Sequence, residues 1–213
     1  MKLLPAFALG AAFVVATFVT ASPAGACING IELEIERINA TPAGQVAIAE
    51  HELADGHPVW AAARVKDEFP NVRSFDAKAP PLGRRAVRLY ALAVVRSEGK
   101  IDASAGWAPW GNYEWALETL KDLEASTPNN PARQAELAEA QIALPRTRAA
   151  GVQVIENLDG RDLLGSPYAY LALARARQAE GDEGGTLAAV RRCAMMSSDR
   201  RRCASQKPAA PKS

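Results

Sequence analysis

The residue types that could do hydrolytic or metal chemistry are present in this sequence, but their spacing does not fit those chemistries. His51 and Glu52 begin a zinc-protease motif, whose second histidine must fall where the chain has Asp55. Ser166 is followed by Pro167, and proline lacks the backbone N–H that a serine nucleophile elbow contributes to its oxyanion hole. The sequence therefore predicts no catalytic residue, no metal site and no cofactor.

One stretch of the chain, residues 106–115, concentrates aromatic side chains between proline and glycine residues. It holds Trp107, Trp110, Tyr113 and Trp115, and so contains three of the four tryptophans. Rings in such a loop offer large, rigid contact surfaces to a partner. The alternative is that Tyr113 belongs to the core while Trp107 and Trp110 fold over the edge of a helical hairpin. If the two tryptophans bind a partner, replacing both by alanine weakens binding and leaves the melting temperature nearly unchanged.

Composition and charge limit the remaining possibilities. The 213 residues are 48% hydrophobic and 23% charged, which is typical of a single globular domain. A net charge of +1 provides no global field for a polyanion, so the sequence predicts no nucleic-acid partner. The local basic run consists of Arg191, Arg192, Arg200, Arg201 and Arg202. Its ordinary interpretation is a solvated helix face, and the alternative is contact with anionic lipid or a polyanionic polymer.

The first 26 residues have the pattern of a secretory signal peptide. Lys2 precedes an apolar stretch over residues 3–19, and an Ala-Gly-Ala sequence at 24–26 forms a small-x-small cleavage site. Cleavage there makes Cys27 the first mature residue, so a lipid on this cysteine, as in bacterial lipoproteins, is an open alternative. The protein is therefore expected to be exported, to the periplasm or outside the cell, with membrane attachment only if Cys27 is acylated.

The three cysteines suit an oxidising compartment. Cys27, Cys193 and Cys203 allow one disulfide and leave one thiol over. A bond between Cys193 and Cys203 is favoured because a short loop closes easily, although the sequence alone does not settle the pairing. Their spacing does not match a zinc site.

An internal repeat organises the rest of the chain. Its three clearest copies begin with an N-cap residue followed by a proline that suits the first position of a helix: Thr41-Pro42, Asn130-Pro131 and Ser166-Pro167. Counted from each proline, a large residue at position seven precedes alanine at position eight, as in Ile48-Ala49. A helix breaker at position fifteen and a small residue at position twenty follow. This pattern predicts two closely packed antiparallel helices in each copy.

A fourth copy lies between the first two and is distorted. Residues 84–98 have the apolar face of a first helix, and residues 112–126 have that of a second. The turn between them is eleven residues longer than in the other copies. This excess runs from Gly99 to about Pro109 and includes the start of the aromatic stretch.

These features resemble the tetratricopeptide repeat family, a solenoid of helical hairpins of roughly 34 residues each. The large-small pair, the turn glycine Gly181, the small residue at position twenty and Pro128 at the end of a unit carry the resemblance over about residues 42–198. It implies an all-α fold, an α-solenoid of about four hairpins. We expect the hairpins at about 42–70, 84–128, 131–163 and 167–198, between an N-terminal cap segment, 27–41, and a disordered tail, 199–213.

The resemblance also implies a function. Repeat proteins of this kind bind a peptide or helix of another protein along the concave face that their first helices form. A non-enzymatic interaction module of the bacterial cell envelope is therefore expected. The side chains on first helices that are not assigned to packing are the expected groove residues: Gln45, Glu52, Arg88, Gln134, Gln141, Tyr170 and Arg177.

Two other functions stay open from the sequence. A carbohydrate-binding or hydrolytic protein of the cell wall would use the aromatic stretch as a sugar platform, with Asp102, Glu114 or Glu118 as the acid. A lipid-tethered subunit of an envelope assembly complex would require acylation of Cys27. Glycan binding or cell-wall turnover by the purified protein tests the first alternative, and its intact mass tests the second.

Overall fold

The structure, a computed structural model, describes residues 35–204. The chain divides into two compact units, Met1–Arg37 and Ile38–Ser213. Of the first unit only residues 35–37 are described, and they are helical. The predicted signal peptide, Cys27 and most of the predicted cap segment lie outside the described residues, as does the tail from residue 205.

The described part of the second unit is built from helices and contains no β-strand. Two short 3₁₀ helices, Val72–Ser74 and Ala103–Ala105, lie in the connections. The α-helices are α1 (Pro42–Ala54), α2 (Pro58–Glu68), α3 (Pro81–Arg96), α4 (Pro109–Ala125), α5 (Pro131–Ala143), α6 (Arg148–Gly160), α7 (Pro167–Ala179), α8 (Glu183–Met196) and α9 (Arg200–Ala204). None of the helices in residues 35–204 combines the length and hydropathy that crossing a membrane requires.

The predicted helix starts are confirmed at the three clearest copies of the repeat. Thr41 Oγ1 accepts a hydrogen bond from the N–H of Gly44 at 3.0 Å, at the start of α1. Asn130 and Ser166 cap α5 and α7 in the same way. A proline occupies the first position of each of these helices, where its missing N–H costs no hydrogen bond.

Consecutive helices pack in neighbouring pairs. The pairs with the most extensive contact are α1 with α2, α3 with α4, α5 with α6, and α7 with α8. The first helices α1, α3, α5 and α7 also contact one another in that order. Gly151 lets α6 approach α5 closely, because a Cβ atom there would come within 2.8 Å of the Ala138 carbonyl oxygen. The all-helical fold predicted from the sequence is therefore confirmed.

The buried apolar side chains form two clusters. The first cluster comes mainly from α1 to α4, and the second comes from α5 to α9. Helix α5 serves both, since Ala140 belongs to the first cluster while Ala138 and Ile142 belong to the second.

The C-terminal end differs from the prediction of a disordered tail from residue 199. The chain forms the short helix α9, and Cys193 of α8 is joined to Cys203 of α9 by a disulfide. Both cysteines are buried in the second cluster. The disordered tail was predicted from local composition, which does not reveal a disulfide. This covalent bond and the burial of Cys203 hold residues 200–204 in place.

Candidate functional site

A groove of about 370 Å³ opens between the first helices α3, α5 and α7. Its apolar surface includes Val95 of α3, Ile142 of α5 and Leu171 of α7. Two tyrosines, Tyr113 from α4 and Tyr168 from the start of α7, also line it. The groove therefore offers a partner both aliphatic contact and phenolic hydroxyl groups.

An ion pair braces the inner wall of the groove. Arg96 donates from Nε and Nη2 to the two carboxylate oxygens of Glu139, at 3.0 and 3.1 Å. The guanidinium also lies over the Tyr168 ring, 3.9 Å from its centroid. Burial acts to lower the pKa of Arg96, but the charge and hydrogen bonds of Glu139 outweigh it and raise that pKa. Because both charges are satisfied within the chain, this pair supports the groove and leaves recognition to other residues.

Two further arginines supply the positive charge that a ligand can use. Arg148 donates from Nε to the Ile142 carbonyl oxygen at 3.3 Å, and no carboxylate of residues 35–204 forms an ion pair with it. Arg175 is half-exposed, and its Nη2 lies 3.6 Å from a carboxylate oxygen of Glu98. Both guanidinium groups line the groove. A carboxylate bound at either guanidinium would gain charge-assisted hydrogen bonds.

One end of the groove wall is held by contacts between the first and last helix pairs. The Tyr168 hydroxyl donates to the Ala54 carbonyl oxygen of α1 at 3.1 Å. Arg202 of α9 donates from Nη1 to the same carbonyl at 3.3 Å and to the Tyr168 hydroxyl oxygen at 3.1 Å. The disulfide between Cys193 and Cys203 holds α9 where it makes these contacts.

The expected groove residues occupy other places. Five of them have hydrogen-bond or ion-pair partners elsewhere in the chain. Glu52 and Gln45 bind Arg64 of α2. Two others contact α6: Tyr170 donates a hydrogen bond to Asp159, and Arg177 forms an ion pair with Glu156. Arg88 forms ion pairs with both Glu50 and Glu136. These contacts lie within the chain, so they do not leave the side chains free for a partner.

Gln134 and Gln141 share a different cavity, of about 520 Å³, between α4, α5 and α6. The Oε1 atom of Gln141 is buried there and has no hydrogen-bond partner among the described residues. The cavity lies on the face of α5 that turns to the neighbouring second helices, away from the groove between α3, α5 and α7.

The angular position of these residues around the first helices explains why they do not line the groove between α3, α5 and α7. Repeat positions four and eleven are seven residues apart and share one face, which turns towards the neighbouring second helices. Position nine lies about 140° around the helix from position four. It holds Glu50, Glu139 and Arg175, and the last two line the groove. The recurrence of a charged residue at position nine is the signal that could have located this face.

The aromatic stretch is largely part of the fold. Its anchor is Arg73, whose Cζ lies 4.1 Å from the centroid of the Trp107 ring and 4.4 Å from that of Trp115. Trp115 also packs edge-on against Tyr90 of α3. Trp107 is 38% exposed, whereas Trp110 is 52% exposed and has no ring partner in the described chain. Of the tryptophans in this stretch, Trp110 therefore offers the most surface to a partner.

A buried polar network fixes the loop that carries Trp107. Asn112 donates from Nδ2 to the carbonyl oxygens of Gly99 and Ile101, at 2.8 and 2.6 Å, and accepts from Arg73 at 2.7 Å. Asp102, which has a left-handed backbone (φ 59°), accepts from Lys66, Tyr90 and Arg73. Neither Arg73 nor Asn112 was predicted from the sequence, although a polar residue beginning the apolar stripe of 112–126 was a visible signal.

The three candidate acids of the hydrolytic alternative all have cationic partners. Burial acts to raise the pKa of Asp102, but the hydrogen bonds from Lys66 and Tyr90 outweigh it and lower that pKa. A general acid requires the opposite shift. Glu114 pairs with Arg146, and Glu118 lies 3.5 Å from Lys121. The lowered pKa of Asp102 therefore does not suit a general acid, and the other two carboxylates are held in ion pairs.

Comparison with known proteins adds no relative. No protein-family model, curated protein or solved structure matches the chain. Within residues 35–204, no three His, Cys, Asp or Glu side chains are grouped so that they could hold a metal ion. The functional interpretation therefore rests on the geometry described above.

Proposed function

We propose that this protein is a non-enzymatic interaction module that binds a segment of another protein in the groove between α3, α5 and α7. The observation that carries the proposal is the pair Arg148 and Arg175 beside an aliphatic surface in a preformed groove. Preformed concave sites with a few polar groups are the usual form of binding sites. The brace of Arg96 and Glu139 keeps the groove open without the partner.

The groove chemistry defines the segment it would bind. Arg148 and Arg175 favour a carboxylate, and Ile142 and Leu171 favour an aliphatic or aromatic side chain next to it. The hydroxyl of Tyr113 can bond the backbone of an extended segment. We therefore infer a partner segment with an acidic residue adjacent to an apolar one.

The finer architecture belongs to the same proposal. The paired helices, the proline starts and the contacts among first helices support a solenoid of four hairpins similar to tetratricopeptide repeats. Export through the signal peptide at residues 1–26 would place this solenoid in the periplasm or outside the cell. A disulfide between Cys193 and Cys203 suits such an oxidising compartment.

Cross-linking in intact cells tests the proposal. The protein is cross-linked, recovered through a small C-terminal tag, and its adducts are identified by mass spectrometry. We expect a recurrent protein partner with cross-links near the groove, lost in the double variant Arg148→Glu/Arg175→Glu. The matched control is Lys121→Glu/Arg161→Glu, which makes the same charge change at exposed residues outside the groove. Equal loss in both variants, or no protein adduct, would contradict the proposal.

A carbohydrate-binding role is the second candidate, and the exposure of Trp110 supports it. An exposed indole ring gives the flat apolar face on which a sugar can stack. Retention of the protein on isolated cell-wall polymer, abolished by Trp110→Ala and unaffected by Arg148→Glu/Arg175→Glu, would favour this role over the first.

A further inference from the structure

The positive charge of the chain is concentrated at its C-terminal end. Residues 191–202 contain five arginines and one acid, Asp199, for a net charge of +4. The whole chain has a net charge of +1, so all other residues together sum to −3. A protein that is acidic over most of its length therefore carries one strongly basic region.

The basic region has an exposed face on α8. Ala189 and Cys193 are buried against the second cluster. On the opposite side, Leu187, Arg191 and Met195 follow one another at intervals of four, so they form one stripe along the helix. The exposed fractions of Leu187 and Met195 are 37% and 78%.

A second stripe lies beside the first one. Arg192 is exposed, and Met196, four residues later, is 41% exposed. The disulfide attaches α9 to α8 on the side of Cys193, and Arg200 and Arg201 are exposed on α9. The exposed face of α8 thus alternates arginine with thioether and aliphatic side chains.

Little of this charge is neutralised within the chain. Asp199 pairs with Arg201 and Arg202. Among the described residues, no carboxylate forms an ion pair with Arg191, Arg192 or Arg200. Three guanidinium groups are therefore available to an external anion.

The corresponding helix of the preceding pair is different. On α6 the exposed side chains include Gln153, Glu156 and Asn157, which is the ordinary polar surface of a solenoid helix. A terminal repeat usually has a polar outer face, which keeps the solenoid soluble. The outer face of α8 instead exposes Leu187, Met195 and Met196 among its arginines.

We propose that the exposed face of α8 forms a docking surface for an anionic lipid bilayer. Arginines on such a surface bind lipid phosphates, and the apolar side chains between them enter the boundary between headgroups and acyl chains. A nucleic acid would use the arginines but has no use for exposed methionine and leucine, and this surface has no aromatic ring for stacking bases. The mixture of side chains therefore favours a membrane over a polynucleotide.

Vesicle co-sedimentation tests this proposal with the exported, signal-processed chain. Cys27→Ser is introduced throughout, so that no lipid on that cysteine contributes to binding. We expect binding to phosphatidylglycerol/phosphatidylcholine vesicles, weakening as salt is raised, and no binding to phosphatidylcholine alone. Each arginine near an anionic surface contributes roughly fivefold to partitioning, so Arg191→Gln/Arg192→Gln is expected to weaken binding roughly 25-fold.

Two further variants identify the surface and the mode of binding. The control Lys121→Gln/Arg161→Gln removes the same charge elsewhere and is expected to change vesicle binding less than about twofold. Met195→Ser/Met196→Ser keeps every charge and is expected to weaken binding severalfold, because the apolar contribution is lost. Circular dichroism confirms that each variant is folded.

Several results would overturn the proposal. These are equal losses in the control and in Arg191→Gln/Arg192→Gln, no effect of the methionine substitutions, or tighter binding to single-stranded RNA than to the vesicles. Arg148→Glu/Arg175→Glu should leave vesicle binding unchanged, since the groove is a separate site. The result is thus independent of whether the proposed groove binds a protein.

Discussion

The two hydrophobic clusters differ in size and are completed in different ways. The first cluster buries many large residues fully, among them Tyr90, Leu92 and Val87. The second cluster has fewer buried residues, and Ile155 and Leu158 are its largest fully buried side chains. A smaller cluster removes less apolar area from water on folding and so stabilises less.

The two clusters also differ in the polar or covalent links that complete them. The first cluster is completed by the network of Asn112, Arg73 and Asp102, which fixes the loop between α3 and α4. The second cluster is completed by the disulfide between Cys193 and Cys203. A cross-link that restricts the unfolded chain adds stability where burial supplies less. One chain thus stabilises neighbouring helix pairs through separate physical means.

The largest expected effect concerns the polar network of the first cluster. Asn112→Ala removes the donor to two buried carbonyl groups and the acceptor for Arg73, and we expect a loss of about 3 kcal/mol in the free energy of unfolding. Denaturant titration measures this. The exposed Asn157→Ala should change the same quantity by less than about 0.5 kcal/mol. A similar small change for Asn112→Ala would show that the network does not hold the first cluster.

Removing the disulfide has the next largest expected effect, a loss of stability that is confined to the second cluster. For a bond that spans ten residues, Cys193→Ser/Cys203→Ser is expected to cost about 2 to 3 kcal/mol. Hydrogen exchange should become faster in α8 and α9, while α3 and α4 keep their protection. Uniformly faster exchange would mean that the two clusters unfold as one unit.

A smaller effect separates Trp107 from Trp110, the two exposed tryptophans of the aromatic stretch. Trp107→Ala loses the contact with Arg73 and is expected to cost about 1 to 2 kcal/mol. Trp110→Ala should stay within about 0.5 kcal/mol, because the ring has no such partner. Thermal unfolding of the two single variants measures the difference, and equal costs would contradict this assignment of the rings.

The smallest expected effect is a pH dependence of stability that arises from Glu50 of α1. The hydrogen bond from Arg85 lowers the pKa of Glu50 below 4.5, with Arg88 contributing further. A carboxyl with a lowered folded-state pKa stabilises the protein above its unfolded pKa, and this contribution is lost as pH falls through the folded value. Glu50→Gln should therefore flatten the loss of stability below about pH 4.5, measured by denaturant titration at a series of pH values. An unchanged slope would assign the acid sensitivity to other carboxyls.

Local sequence signals predicted the elements well. The N-cap residues and prolines at Thr41, Asn130 and Ser166 marked helix starts, because capping depends on residues adjacent in the chain. The large-small pairs indicated helices in close contact. The favoured pairing of Cys193 with Cys203 is present in the structure, since a short loop closes at low entropic cost.

The candidate site was harder to predict, for a geometric reason. Positions four and eleven, such as Gln45 and Glu52, look like free polar positions in the sequence. In the structure both side chains bind Arg64 on the neighbouring helix. Which face of a first helix becomes the groove depends on the angle at which whole hairpins pack. No local pattern encodes that angle, and so Arg148 and Arg175 were missed.

The sequence by itself determined the three capped helix starts and the helical class of the described chain, because propensity, capping and apolar periodicity are local properties. Tertiary structure decided which polar side chains meet. It brought Arg73 between Trp107 and Trp115, placed Tyr168 against Ala54, and left Arg191 and Arg192 exposed. These outcomes depend on contacts between residues far apart in the chain, whose energies are decided only when the helix pairs assemble.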